Sequence, residues 1–296
     1  MAVYPFFQVD AFTDQALGGN PCAILMNCGE LDELTMQALA LEMNLSETAF
    51  ILSASKTDIV VRYFTPAEEI PFAGHPTIAT CRALIDFGKL ALEDAKTEVK
   101  LHIGSLEIPV SIQRLANGQT WITMTQPQPQ FLSIHHTEQT AKVFGLLLDD
   151  ILPGYPIQTV STGTPQLMIP VRDHAALKKA NMDFSAYADL KARSDFYSPH
   201  LFCLGGVTPE GKTFARHFGL PPDTIEDPFT GSATGAMAAY LWQHNLLDER
   251  KFIAEQGHWM NRPGRALVEI IGRRDSIQAV KVSGQAVTIA RGEINI

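Results

Sequence analysis

The sequence predicts an α+β fold of two similar, pseudo-symmetric domains, each a β-barrel-like sheet wrapped around one central buried helix. Three observations carry this: an ordered internal repeat, two helices apolar nearly all round, and strand-rich segments ahead of each helix. EIPFAGHPTIATCRAL from Glu69 and EDPFTGSATGAMAAYL from Glu226 agree at seven of sixteen positions at an offset of 157. Upstream, Arg62-Tyr63-Phe64 matches Arg216-His217-Phe218 at an offset of 154, and Gly19-Asn20-Pro21 matches Gly163-Thr164-Pro165 at an offset of 144. Three matches in one order point to two copies of one unit.

Along the chain, YPFFQVDAF, CAILM, TAFILS and DIVVRYF have the β-branched and aromatic content of strands. LDELTMQALALEMN between them has helical spacing. PTIATCRALIDFG reads as a helix starting at Pro76 and stopping at Gly88, because proline suits a first turn and glycine an end. ATGAMAAYLWQHN is its counterpart, starting near Ala233, with Gly235 and Ala239 as a small face for close packing. Helices apolar all round must be surrounded by other structure. Asn117-Gly118 reads as a hairpin turn. The prolines of QPQPQ at 126–130 mark a boundary, and AVKVSGQAVTIARGEINI at the end supplies two more strands. The domains expected are 1–127, completed by the C-terminal strand 285–296, and 128–284.

Composition excludes several functions. With 296 residues, 46% hydrophobic and a net charge of −9, the chain is a globular protein whose field repels nucleic acid and anionic membranes. It shows neither a signal peptide nor a membrane span, so a cytoplasmic location is expected. Cys22, Cys28, Cys81 and Cys203 fit no zinc spacing and are too few for a disulfide scaffold, so reduced, buried thiols are expected. Gly206 to Thr213 satisfies the phosphate-loop pattern G-x-x-x-x-G-K-[ST]. That site needs a following helix, and FARHFGLPP is a short alternating run, so 206–213 reads as a β-turn. No dinucleotide fingerprint and no metalloprotease motif occur, and His135-His136 reads as a solvated pair.

Chemistry is suggested just before each buried helix, where Gly74-His75 and Gly231-Ser232 stand. A helix N-terminus carries unpaired amides and about half a positive charge, so it attracts carboxylates and developing oxyanions. Two such ends facing each other would give an acidic protein an anion site without Lys or Arg. Asp227 lies beside the second. Taken singly, Ser232 and His75 also suit helix caps, and Asp227 a turn.

The segments GGNPCAIL, NLSETAFIL, RYFTPAEEIPFAGHPTIA, IEDPFTGSATGA and EQGHWMNRP, in this order across the whole chain, resemble the PhzF-like isomerases. The resemblance implies the diaminopimelate-epimerase-like fold, an active site between the domains, no cofactor or metal, and a homodimer. Matched residue by residue, the family's acid/base glutamate falls on Glu47, with catalytic support from His75, Asp227 and Ser232. Ser46, Gly74 and Gly231 fall on its substrate-binding positions. Related epimerases use two cysteines, whose places here are Ala73 and Thr230, so two-thiol racemisation is not expected. One departure is that Asn261 and Gly264 stand where the family has glycine and serine around a late arginine. The expected function is a proton shift on a small carboxylate-bearing substrate, with Glu47 as general acid/base. The alternatives are a racemase or epimerase of an amino or hydroxy acid, and a non-catalytic binding protein that keeps the fold.

Overall fold

A computed structural model describes residues 2–92, 96–116 and 118–296. The first part of the chain runs β1 (Val3–Ala11), β2 (Asn20–Leu25), α1 (Glu33–Met43), β3 (Glu47–Ala54), β4 (Asp58–Phe64), β5 (Glu69–Ile70), α2 (Gly74–Asp86), β6 (Lys96–Ile103), β7 (Leu106–Arg114) and β8 (Thr120–Gln126). Next come β9 (Gln130–His135), α3 (Thr137–Val143), β10 (Ile157–Ser161), β11 (Pro165–Pro170), α4 (His174–Lys179), α5 (Phe184–Ala192), β12 (Ser198–Leu204) and β13 (Gly211–Phe218). The remainder is β14 (Glu226–Asp227), α6 (Gly231–Gln243), β15 (Lys251–Gln256), β16 (Gly264–Arg273), β17 (Ser276–Gly284) and β18 (Ala286–Asn295).

This is a mixed α/β fold with a large sheet and few helices. The order of pairings in β1–β8 recurs in β10–β17. β1–β2 is antiparallel, β2–β3 parallel, β3–β4 and β4–β5 antiparallel, β4–β6 parallel, and β6–β7 and β7–β8 antiparallel. β10–β11 is antiparallel, β11–β12 parallel, β12–β13 and β13–β14 antiparallel, β13–β15 parallel, and β15–β16 and β16–β17 antiparallel. β8 pairs with β17 and joins the two series, so every strand belongs to one hydrogen-bonded sheet. β18 returns to pair with β1 along its whole length.

Strands of both series pack against a helix. α2 touches β1, β2, β3, β8 and β18, while α6 touches β10, β11, β16 and β17. Ten residues of α2 and twelve of α6 are buried, as expected for helices apolar all round. Gly235 leaves room for Gln126, whose amide donates to Gly231 O at 2.9 Å. Both helices begin two residues earlier than the sequence suggests, at Gly74 and Gly231. Gly88 takes φ +75° just past α2. The turn expected at Asn117-Gly118 includes Asn117, which lies outside the described residues.

The phosphate-loop match is resolved as a turn, with a refinement: Gly211, Lys212 and Thr213 already belong to β13, and no helix follows. Lys212 pairs with Glu249 on the surface. His135 departs from the expected solvated pair, because its ring is 9% exposed and bonds Thr159 Oγ1 at 2.8 Å near Asp195. All four cysteines are free and buried. No described helix is long and apolar enough to cross a membrane.

Candidate functional site

Local structure fixes Glu47. Asp32 caps α1 by accepting from Thr35 N at 3.0 Å, and Asn44 ends the helix in the left-handed region at φ 50°. The chain then reverses through Leu45 and Ser46 into β3, whose first residue is Glu47. Because β3 runs parallel to β2, Glu47 stands opposite Cys22, two residues from the buried Asn20 at the start of β2. The carboxylate thus sits on a strand end under the cleft and not on an exposed loop.

α2 and α6 meet at their N-termini. Neither Ala73 nor Thr230, the residues flanking them, makes a side-chain capping bond, so both first turns keep free amides. The contact is close enough that a Cβ on Gly74 would lie 2.6 Å from Gly231 Cα and 2.5 Å from Ser232 N. Only glycine permits this approach. Two positive helix ends therefore share one spot, where a carboxylate or oxyanion would be held by backbone amides.

Around that spot the side chains form a network. His75 Nε2 lies 3.1 Å from Glu47 Oε2, without an aligned hydrogen bond. Asn20 Nδ2 lies 3.0 Å from His75 Nδ1 and donates to Asp227 Oδ1 at 2.7 Å and Phe229 O at 2.8 Å. Both hydrogens of that amide go to Asp227 and Phe229, so the His75 Nδ1 contact is a close approach that leaves the ring's tautomer open. Ser46 Oγ donates to Asp227 Oδ1 at 2.6 Å, and Thr230 Oγ1 donates to Asp227 Oδ2. Gln256 braces the same strand end by donating to Asp227 O at 2.6 Å. The hydroxyl of Ser232 lines the cleft and makes no side-chain hydrogen bond among the described residues.

Burial raises the Glu47 carboxyl well above its ordinary value, and the nearby carboxylates Asp227 and Asp223 push it further. Burial also lowers His75 to about 4, against the pull of Asp227. Asp223 is itself raised by burial and accepts from Ala67 N at 3.1 Å across the cleft mouth. The cleft encloses about 70 Å³ and, among the described residues, no Lys or Arg lines it. Glu47, His75 and Asp227 offer ligand atoms within 4.8 Å of one another, the spacing of a small cation site. Both Asp227 oxygens already accept from Asn20, Ser46 and Thr230, and a cation would have to displace those donors.

All seven residues singled out in the sequence are brought together here: Ser46, Glu47, Gly74, His75, Asp227, Gly231 and Ser232. Sequence reasoning missed Asn20, Gln166, Ser198, His217, Asp223 and Gln256. The matched Gly19-Asn20-Pro21 and Gly163-Thr164-Pro165 held the signal for Asn20, since Thr164 also lines the cleft. The departure at Asn261 and Gly264 lies elsewhere. Both line a second cavity of about 470 Å³, and Arg262 between them clamps Asp10 Oδ1 at 2.7 Å and Gly19 O at 2.9 Å. Asn261 fits its position because, like glycine, it tolerates φ 57°.

A family model described as phenazine biosynthesis-like protein (PhzC-PhzF) matches residues 9–292. The trans-2,3-dihydro-3-hydroxyanthranilate isomerase of Pseudomonas chlororaphis is 31% identical over 97% of this chain and 97% of its own. An uncharacterized isomerase of Clostridium acetobutylicum is 33% identical over 98% of each chain. Among solved structures, the Bacillus anthracis phenazine biosynthesis protein of the PhzF family superposes with a TM-score of 0.87 at 31% identity, covering 100% of both chains. A hydroxyproline epimerase from Agrobacterium vitis shares the fold, with a TM-score of 0.69 at 11% identity over 99% of this chain and 92% of its own.

Proposed function

Because the chain belongs to the phenazine biosynthesis-like PhzC-PhzF family, an isomerase family, we propose that it shifts a proton on a small unsaturated carboxylic acid, without a cofactor, using Glu47 as general acid/base. The observation that carries this is the Glu47 carboxyl, raised by burial and set beside two abutting helix ends. The raised carboxylate of Glu47 removes a proton, the helix amides hold the substrate carboxylate and the charge that accumulates, and Glu47 returns the proton to another carbon. His75, held by Asn20, orients the Glu47 carboxyl, and Asp227 fixes Asn20 and Ser46. Ser232, free in the cleft, contacts the substrate, as do the backbones of Gly74 and Gly231. At about 70 Å³ the cleft is well below the several hundred Å³ of ordinary ligand pockets, so on this reading its walls part during turnover.

The recurring strand pairings support reading the chain as two pseudo-symmetric domains, 1–127 with 285–296 and 128–284. That reading also bears on the choice between isomerase and racemase. The parallel pairs Cys22–Glu47 and Gln166–Ser198 occupy matching places, so Ser198 is the counterpart of Glu47. Ser232 is likewise the counterpart of His75. Racemisation by two bases needs one on each face of the carbon, whereas the matching places on the far face are hydroxyls. On this reading Glu47 alone removes and returns the proton on one face, which moves a double bond without inverting a centre.

The test is NMR in D₂O with trans-2,3-dihydro-3-hydroxyanthranilate and a panel of unsaturated amino and hydroxy acids. Enzyme-dependent deuterium at a new carbon with bond migration supports the reading; exchange at one carbon with loss of configuration and no migration would replace it with a racemase. We also take the enzyme to be a cytoplasmic homodimer. Its four reduced thiols suit a reducing compartment, and sedimentation tests the dimer.

A further inference from the structure

Two histidines face each other behind one wall of the cleft. His217 on β13 lines the cleft and sits across the ladder from Asp227 on one side and His200 on the other. His200 on β12 is fully buried. Their Nδ1 atoms are 3.3 Å apart, with ring centroids 5.5 Å apart. With Nδ1 turned to His200, Nε2 is the nitrogen of His217 open to a ligand, and it has no hydrogen-bond partner among the described residues. The repeat shows that the fold does not require this. Tyr63, which matches His217, is buried, and its hydroxyl lies 3.2 Å from Thr77 Oγ1.

A hydrogen bond between two imidazole nitrogens needs one protonated and one bare. His200 Nε2 is buried and has no partner. If His217 supplied the shared proton, neutral His200 would carry its own on Nε2, as an orphaned buried donor. If His200 supplies it, that Nε2 is an unfilled acceptor, which native proteins tolerate more readily than an orphaned donor. The second arrangement leaves the proton of His217 on Nε2.

Resting on the proton-shift reading above, we infer that His217 presents an Nε2–H donor to an oxygen of the substrate, with His200 fixing its tautomer. The acid turned over is then one whose carboxyl or carbonyl oxygen is conjugated with the carbon that loses its proton. As that C–H bond breaks, the proton goes to Glu47 and the electron pair spreads onto this oxygen, which His217 holds. The proton on Glu47 later closes the new C–H bond, and His217 keeps its own proton throughout. Burial lowers His217 to about 4, so it stays neutral and donates a hydrogen bond without protonating the intermediate.

The first test needs no substrate. In wild-type protein labelled with ¹⁵N-histidine, long-range ¹H–¹⁵N correlation spectra at neutral pH, assigned with His217→Gln and His200→Phe, should show the Nε2–H tautomer at His217; the Nδ1–H tautomer would overturn the inference. The second is deuterium exchange on the panel above. His217→Phe should lower kcat by ~10²–10³ with less effect on KM, while His217→Gln, which keeps a donor, should retain more activity. A folded His217→Phe with wild-type kcat beside an inactive Glu47→Gln would sink this inference alone, whereas an active Glu47→Gln would sink the proton-shift reading. Should His217→Phe not fold, the tautomer in the wild-type protein decides.

Discussion

Glu47 Oε2 and His75 Nε2 stand 3.1 Å apart, at ion-pair distance, yet burial favours the uncharged form of each. Loss of water is the leading cause for both groups, with His75 2% exposed and Glu47 17%. The contact sets an imidazole nitrogen beside a carboxyl whose hold on its proton burial strengthens.

A pH prediction follows from these directions. The base form of Glu47 should be needed for turnover, so kcat/KM should rise with pH along a limb displaced above the ordinary glutamate value of 4.5. His75, lowered to about 4, should add no limb between pH 5 and 8. Stability should move oppositely. His75 binds fewer protons folded than unfolded between 6.5 and about 4, so its contribution is present above 6.5 and lost as pH falls toward 4, on the order of 3 kcal/mol. Glu47, raised when folded, stabilises below 4.5 and loses that contribution as pH rises through its folded value. Urea denaturation should therefore find Glu47→Gln more stable than wild type at neutral pH, with the gap closing below pH 4.5. A gap independent of pH would contradict the buried-carboxyl account.

Gly74→Ala tests the helix junction. A Cβ there meets backbone of α6 at 2.5 and 2.6 Å, which no side-chain rotation relieves. Overpacking of this kind costs ~1–3 kcal/mol, and the helix ends must separate to accept it. Thermal melting should show the loss, and exchange activity should fall by more than the unfolded fraction explains. A variant with wild-type melting and activity would mean that the junction yields freely.

The fold was more legible in the sequence than the site. The repeat was visible because Gly74 and Gly231 stand in matching contexts at the starts of two helices that are buried nearly all round. Helices α3 to α5 escaped notice, since six to nine residues give too few turns for a clear periodicity. The starts of α2 and α6 were placed late because Gly74 and Gly231 carry no helix propensity and are chosen for contact with each other. Glu47 was found only through family resemblance, because Asp223 and Asp227, which push its carboxyl further up, come from the second half of the chain. Asn20 and Asp223 act across 207 and 156 residues of sequence, on Asp227 and Ala67, and such pairings have no local signature.

Nucleotides should not bind at the Gly206–Thr213 match. Glu255 accepts from Val207 N at 2.6 Å and Thr208 N at 3.0 Å, so a carboxylate already fills the amides that a phosphate would use. Lys212 holds Glu249 in an exposed pair, worth ~0–1 kcal/mol. ATP and GTP should give no thermal shift, and Lys212→Ala should keep wild-type exchange activity. Micromolar ATP binding abolished by that substitution would show the turn to be a phosphate site.

The sharpest division is between carboxylate and thiol chemistry. Glu47→Gln keeps the shape and removes the base, so exchange should fall by ~10²–10⁴. Affinity should change less, since in the proposed arrangement helix amides and not Glu47 hold the carboxylate. The thiol nearest this chemistry is Cys22, opposite Glu47 in the β2–β3 ladder. Burial, reinforced by Glu47, holds its pKa well above the ordinary thiol value, and Cys81 is pushed up to about 12 by burial alone. Neither supplies a thiolate at neutral pH, and none of the four cysteines lines the cleft. Replacing all four with Ala or Ser should therefore cost stability, through packing lost in the core, while leaving exchange per folded molecule close to wild type. Iodoacetamide should not inactivate the native enzyme. A cysteine-free protein that folds but no longer exchanges, beside a fully active Glu47→Gln, would reverse the assignment.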